Sequence, residues 1–319
     1  MSPFDVAVMH DYFIDRLAHV GRLSRFADSV VAKADRGGGG IHGIPQQDVR
    51  GGNAVNLAHA LARLGLRTLL ITHSDPAHMR LLTDTFEGLG AEVRVKQRPP
   101  GLTVALEGEV NVMIGHGGGA EDFGPELLDE RDWRALRGAK LVCSVNWAAN
   151  LSGSRLLAAL RRRLGREKLI FFDPADFRDR RGEFSRLLAA IRRQGLVDWM
   201  SLNEQEAFEA AGMLGMDSVG LGETCAGLAR RLHVGLDVHT ARLSFSSEGG
   251  KATKVPARRV RARRLTGAGD AWNAGSIYGR LKGFDDSKRL RFANAAAGLY
   301  LTAEEPEPPG LGDVLGALG

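Results

Sequence analysis

The chain has 319 residues, of which 44% are hydrophobic and 25% charged, with a formal net charge of +5 at pH 7. Low hydrophobicity and high net charge do not occur together, which argues against a disordered chain, and the length is enough for a substantial core. No apolar run approaches the ~20 residues of a bilayer span, and Met1-Ser2-Pro3-Phe4-Asp5 shows no basic start leading into an apolar stretch, so neither a membrane segment nor a secretion signal is expected.

In chain order, the apolar pattern predicts a strand over 5–9 and a helix over 53–64, which places Leu57, Leu61 and Leu64 on one face and ends at Gly65. A strand over 67–72, a helix over 78–89 and a strand over 92–96 follow. The runs 102–106 and 110–114 flank Glu107-Gly108-Glu109 as a hairpin. Then come a strand over 140–145, a helix over 154–164, a strand over 169–172, a helix over 183–194, a strand over 197–202 and a helix over 204–211. Short apolar strands alternating with helices of this length predict an α/β fold whose sheet is largely parallel and covered on both faces. Residues 17–50, with a tetraglycine at 37–40 and little helical pattern, interrupt the rhythm. They are expected to form a small antiparallel lid inserted in one domain spanning 1–319; a plain flexible loop is the other reading.

Cys143 and Cys225 cannot build a disulfide framework, and reduced thiols in a cytoplasmic protein are expected. The nine histidines show no paired spacing for a structural zinc. Among 43 basic residues the clusters Arg161-Arg162-Arg163 and 258–264 stand out, but neither contains an aromatic residue to stack on bases, so nucleic acid is not expected as a partner.

Several glycine-rich segments compete for a phosphate-binding role. Gly38-Gly39-Gly40-Ile41-His42-Gly43 fits G-x-G-x-x-G without a preceding strand or a following helix, and Gly115-His116-Gly117-Gly118-Gly119 follows a strand but opens no helix. Gly250-Lys251 is followed by Ala252, so no Walker A loop is present. Thr266-Gly267-Ala268-Gly269-Asp270 differs, because it leads directly into a helical stretch. Small residues there let backbone N–H groups converge on an anion at a helix N-terminus. A carboxylate at the end of such a nest suits a group that accepts a proton from an attacking hydroxyl. A glycine turn with an aspartate favoured in the first helical turn accounts for the same residues. Asn203 and Glu206 follow the strand over 197–202, where they suit either a capping box or water-mediated Mg²⁺ binding. Gly51-Gly52 leads into a helix bearing Asn56, which could hold a substrate hydroxyl, and Asp15 lies just after the first strand.

Taken in order, these motifs resemble the ribokinase-like (PfkB) carbohydrate kinases over essentially the whole chain. The early pair of glycines followed by Asn is met by Gly51, Gly52 and Asn56, the Asn-x-x-Glu motif by Asn203 and Glu206, and the C-terminal signature by 266–270. The resemblance implies a three-layer α/β/α domain with a small β lid that in relatives often joins a dimer partner, here a possible homodimer contact. It implies ATP and Mg²⁺, with Asp270 as general base and the N–H groups of Gly267, Ala268 and Gly269 as an anion hole. Asn203 and Glu206 would position Mg²⁺ and its waters. Asp15, Gly52, Asn56 and Asn146 would hold the substrate, and Asn203, Ser246, Gly249 and Asn294 would contact ATP. The acceptor is then a hydroxyl of a small sugar or related polyol. A nucleoside is the alternative, and a catalytically silent metabolite-binding regulator is the alternative of another class. The sequence departs from the family where Arg264 stands for the signature's first aspartate, where 244–249 keeps only the last glycine of a T-x-G-x-x-G-like run, and at Asn146, which stands for a sugar-contacting Glu. Activation by K⁺ and ribose specificity are therefore not expected.

Overall fold

In a computed structural model, which describes residues 4–217, 220–263 and 266–318, the alternation of the sequence becomes two sheets. The strands are β1 (Val6–Met9), β2 (Phe13–Gly21), β3 (Gln46–Gly51), β4 (Thr68–Ser74), β5 (Ala91–Gln97), β6 (Gly101–Gly108), β7 (Asn111–His116), β8 (Leu141–Val145), β9 (Leu169–Asp173), β10 (Trp199–Asn203), β11 (Gly235–His239), β12 (Leu243–Ser247) and β13 (Thr253–Pro256). The helices are α1 (Leu23–Ala34), α2 (Asn53–Arg63), α3 (Met79–Phe86), α4 (Glu130–Gly138), α5 (Gly153–Leu164), α6 (Arg181–Gln194), α7 (Glu204–Met213), α8 (Leu221–Leu232), α9 (Ala268–Leu281), α10 (Asp286–Thr302) and α11 (Leu311–Gly316).

The large sheet runs β13-β12-β11-β10-β9-β8-β1-β4-β5, parallel from β11 to β5, with β12 and β13 antiparallel at one end. Period-two alternation divides the strand residues between two cores. Ala7 and Met9 of β1 face a cluster with Leu156 and Leu160 of α5, Leu188 of α6 and Leu228 of α8. Val6 and Val8 face a second cluster with Leu57 and Leu61 of α2, Ile277 of α9 and Phe292 of α10. The result is the expected three-layer α/β architecture.

The small sheet runs β3-β2-β6-β7. It corrects the expected lid in two ways. The segment 17–50 contributes only β2 and β3, and the hairpin β6–β7 completes the sheet. Between β2 and β3 lies the helix α1, whose Leu23, Phe26 and Lys33 are half-buried while the rest faces solvent.

Connectivity places the site. From β1 the chain moves outward to β4 and β5 on one side, then returns to β8 on the other, so a crevice opens at the carboxyl ends of β1 and β8. Ligands of open α/β sheets gather at such a switch point. Helices α9 and α10 pack closely over it because residue 275 is glycine: a Cβ there would lie 2.7 Å from Ala293 Cα. A buried ion pair locks the same two helices to the sheet. Arg289 of α10 meets Asp237 of β11 at 2.6 Å, and Ser276 of α9 donates to the same carboxylate at 2.8 Å.

Candidate active site

At the end of β1 the chain leaves the sheet at Asp11. Gly52, at φ +97°, is the N-terminal cap of α2 and offers no side chain, so Asp11 caps the helix from across the crevice. Its carboxylate accepts from Asn53 N at 2.8 Å and Ala54 N at 2.9 Å, and from Asn146 Nδ2 at 2.8 Å. A side chain at Gly52 would press on the Asp11 carbonyl, 2.8 Å from the added Cβ. Asn146 follows β8 in the left-handed region, φ 54°, which aims its amide at Asp11.

Helix α2 carries Asn53 and Asn56 towards α9. Asn53 Nδ2 donates to Asp270 Oδ1 at 3.2 Å and Asn56 Nδ2 to Oδ2 at 3.1 Å. Asp270 lies in the first turn of α9, behind the cap residue Gly267 at φ +84°, so the first N–H groups of the helix have no acceptor within it. Burial, reinforced by Asp173 and Asp11, pushes the Asp270 carboxyl well above the usual range, and the two asparagine amides oppose that shift.

The expected Asn203–Glu206 pair forms a complete capping box on α7: Asn203 Oδ1 accepts from Glu206 N and Glu206 Oε2 from Asn203 N, each at 2.9 Å. Burial and the nearby Asp173 push Glu206 up to about 8. Asp173 ends β9 and is fixed by Asn273 Nδ2 at 2.6 Å. No group of three or more His, Cys, Asp or Glu that could ligate a metal directly exists among the described residues. Two buried carboxylates at neighbouring strand ends fit Mg²⁺ held through waters, since this ion keeps much of its hydration and its charge relieves both acids.

Two cavities are lined by expected site residues. One, of about 770 Å³, runs between the small sheet and the domain, and its walls include Asp15, Arg50, Asn56, Glu107, Thr266 and Tyr300. Asp15 is set close to Gly51, and burial pushes its carboxyl up to about 6. The other, of about 520 Å³, is lined by Asn294, Pro256, Val260 and the arginines Arg258, Arg259, Arg261 and Arg291. Asn294 is fixed by Trp272 Nε1 at 2.8 Å and by donating to Pro256 O at 3.2 Å.

Two expected site residues are not brought here. β11 ends beside Asn203, with His239 paired to Asn203 and to Ser244, so the turn reaching the active edge is 240–242. Gly249, beyond β12, lies at the opposite edge against the Arg230 backbone. The Ser246 hydroxyl accepts from Arg289 Nη2 at 2.6 Å inside the buried ion-pair cluster. Antiparallel return of β12 is the reason: it carries residues after 243 away from the strand ends. Trp147, a potential base-stacking residue, is in the core against Phe184, with Arg180 over its ring at 4.1 Å. Arg264 lies outside the described residues. Asp11, Asp173 and Arg50 were not among the sequence candidates. Asp11 and Asp173 carried a usable signal: each is the first acid at the C-terminal end of an apolar parallel strand.

The model of the pfkB family carbohydrate kinases matches residues 16–309. The chain belongs to that family. Among solved structures it is similar to the Thermotoga maritima ribokinase, with a TM-score of 0.80 at 18% identity over 99% of each chain. It is also similar to the Sinorhizobium meliloti adenosine kinase, with 0.81 at 19% identity over 99% of this chain and 100% of that one. A fructokinase from Xylella fastidiosa with bound ATP matches with 0.75 at 17% identity, covering 100% of this chain and 98% of that one. At these identities the likeness is one of fold; family membership rests on the family model.

Proposed function

We propose that this protein is an ATP- and Mg²⁺-dependent kinase that phosphorylates a hydroxyl of a small sugar or related polyol, with Asp270 as general base. The observation that carries this reading is the place of Asp270: in the first turn of α9, held by Asn53 and by Asn56, which itself lines the 770 Å³ cavity. A hydroxyl oxygen in the 770 Å³ cavity attacks the γ-phosphorus; its proton passes to Asp270 as the bond to the β-phosphate oxygen breaks and ADP leaves. The N–H groups of Gly267, Ala268 and Gly269 receive the charge that develops on the transferred phosphoryl oxygens. Asn203, Glu206 and Asp173 would hold Mg²⁺ through waters, and the ion would supply charge neutralisation to the nucleotide phosphates. Asn294 and the arginines of the second cavity hold the nucleotide.

Asp15, Asn56 and Asn146 with Asp11 present polar groups suited to several hydroxyls. The core position of Trp147 leaves Phe13, half-buried at the start of β2, as the aromatic residue of the two that a nucleoside base would need to stack on. The outer face of the small sheet, with Leu102, Val104, Val112 and Ile114 exposed side by side, supports a homodimer through the lid. The test is a panel of sugars, sugar acids, polyols and nucleosides with ATP and Mg²⁺, following ADP release and the phosphorylated product by ³¹P NMR. Acceptor-dependent ADP release with a polyol supports the reading; ATP turnover with no acceptor at all contradicts it.

A further inference from the structure

Resting on that reading of Asp270, we propose that Arg50, on the lid strand β3, is a positioning residue: it sets the Asn56 amide so that an N–H, and not the carbonyl oxygen, faces the base. Arg50 Nη1 donates to Asn56 Oδ1 at 2.7 Å, and Asn56 Nδ2 donates to Asp270 Oδ2 at 3.1 Å. A guanidinium can only donate, and in the ionised form in which Asp270 acts as base its carboxylate can only accept. An amide between them therefore has one orientation that satisfies both ends. Turned over, it would set its oxygen against the carboxylate and its N–H₂ against a cation.

Arg50 is itself immobilised. Nη2 contacts His59 Nδ1 at 2.5 Å and donates to Pro306 O at 3.3 Å. Burial, with Arg50 and Arg63 beside it, pushes His59 down to about 3, so its ring is neutral and can accept from the guanidinium. A strand of the small sheet, helix α2 and the segment after α10 thus converge on one cation, which sits one hydrogen-bonded residue away from the reacting carboxylate. Arg50 makes no hydrogen bond to Asp270; beyond the attraction of its charge, its contact with the base runs through Asn56.

The test compares Arg50→Met, Arg50→Lys, Asn56→Ala and Arg50→Met/Asn56→Ala, each checked by thermal melt. Arg50→Met is expected to lower kcat about 10- to 100-fold, the scale of a misplaced catalytic group, with KM for ATP unchanged. Arg50→Lys keeps a cationic donor and is expected to recover part of the loss. In the double variant the second change is expected to cost less than about twofold beyond Asn56→Ala, because both act through one contact. Multiplicative losses, or a raised acceptor KM at unchanged kcat, would overturn the proposal and make Arg50 a direct substrate contact. A readout independent of activity is the Asn56 side-chain amide resonance, identified by its absence in Asn56→Ala. It is expected to move in both Arg50 variants, and an unmoved resonance refutes the relay. If the unmutated protein phosphorylates no acceptor, the kinase reading fails, and this resonance still decides the role of Arg50.

Discussion

Replacing Gly267 by alanine probes the turn on which the anion hole depends. The residue sits at φ +84°, where an L side chain costs about 1–2 kcal/mol. The added Cβ would also lie 2.5 Å from Tyr300 Oη, 3.1 Å from Cζ and 3.3 Å from Cε1. Restoring an ordinary contact of 3.4 Å requires the phenol, which is only 8% exposed, to move by 3.4 − 2.5 = 0.9 Å. Overpacking of that kind costs about 1–3 kcal/mol. The total of about 2–5 kcal/mol corresponds to a fall in Tm of roughly 3–7 °C for a chain of this size. Because the N–H groups of 267–269 are displaced with the turn, kcat at saturating ATP is expected to fall at least about tenfold, towards the 10²–10³ seen when one oxyanion donor is lost. Combining Gly267→Ala with Tyr300→Phe removes the nearest atom, so part of the overpacking cost should be recovered while the backbone cost stays. Differential scanning fluorimetry and steady-state kinetics on the three variants separate the contributions. If Gly267→Ala keeps its full turnover and melts within about 1 °C of the unmutated protein, the turn geometry has no part in transfer.

Glu206→Gln keeps an acceptor for the capping box and removes a carboxyl that burial and Asp173 push up to about 8, so it should not lose stability near neutral pH while it raises the Mg²⁺ concentration for half-maximal rate; an unchanged Mg²⁺ dependence would leave Glu206 a cap alone. Asp15 is pushed up to about 6 from 3.8, so its protonated form is favoured in the folded state. That contribution is present in full below pH 3.8 and lost as pH rises through about 6, so denaturant titrations should show Asp15→Asn gaining up to about 2–3 kcal/mol over the unmutated protein across that window and no more above it. Arg289→Met strands the buried Asp237 and should cost about 3–5 kcal/mol in urea unfolding; a cost under 1 kcal/mol would show that the α10 ion pair does not secure the helix.

Strands and helices whose faces are sorted by burial were legible. The periods of β1, β8 and α2 follow directly from Val6, Val8, Leu57 and Leu61 entering one core. The small sheet was legible only in part. β2 and β3 have half-exposed faces, and α1 buries no residue, so its spacing of Leu23, Phe26 and Val30 was obscured by the polar and glycine-rich surroundings. In the site, Asp270, Asn56, Asn203 and Glu206 could be found because each starts a helix or lies within its first turn. Ser246 and Gly249 were misplaced because one sequence cannot show that β12 turns back, which reverses which end of a strand faces the ligand. Arg50 carries no sequence signal at all: its role exists only where β3, α2 and the segment after α10 converge.

The central claim, that Asp270 takes the proton of the attacking hydroxyl, is tested most directly by Asp270→Asn, assayed for phosphoryl transfer and, separately, for ATP binding by calorimetry. Asn53 and Asn56 donate to different oxygens of Asp270, so in the variant one of them keeps its acceptor and the other faces an N–H₂; a thermal melt run alongside checks that the α9 turn is kept. The expected result is a kcat lower by about 10²–10⁴-fold, the worth of a positioned general base, with the ATP dissociation constant within about threefold of the unmutated protein. A variant that retains more than half of its turnover would remove Asp270 from the mechanism.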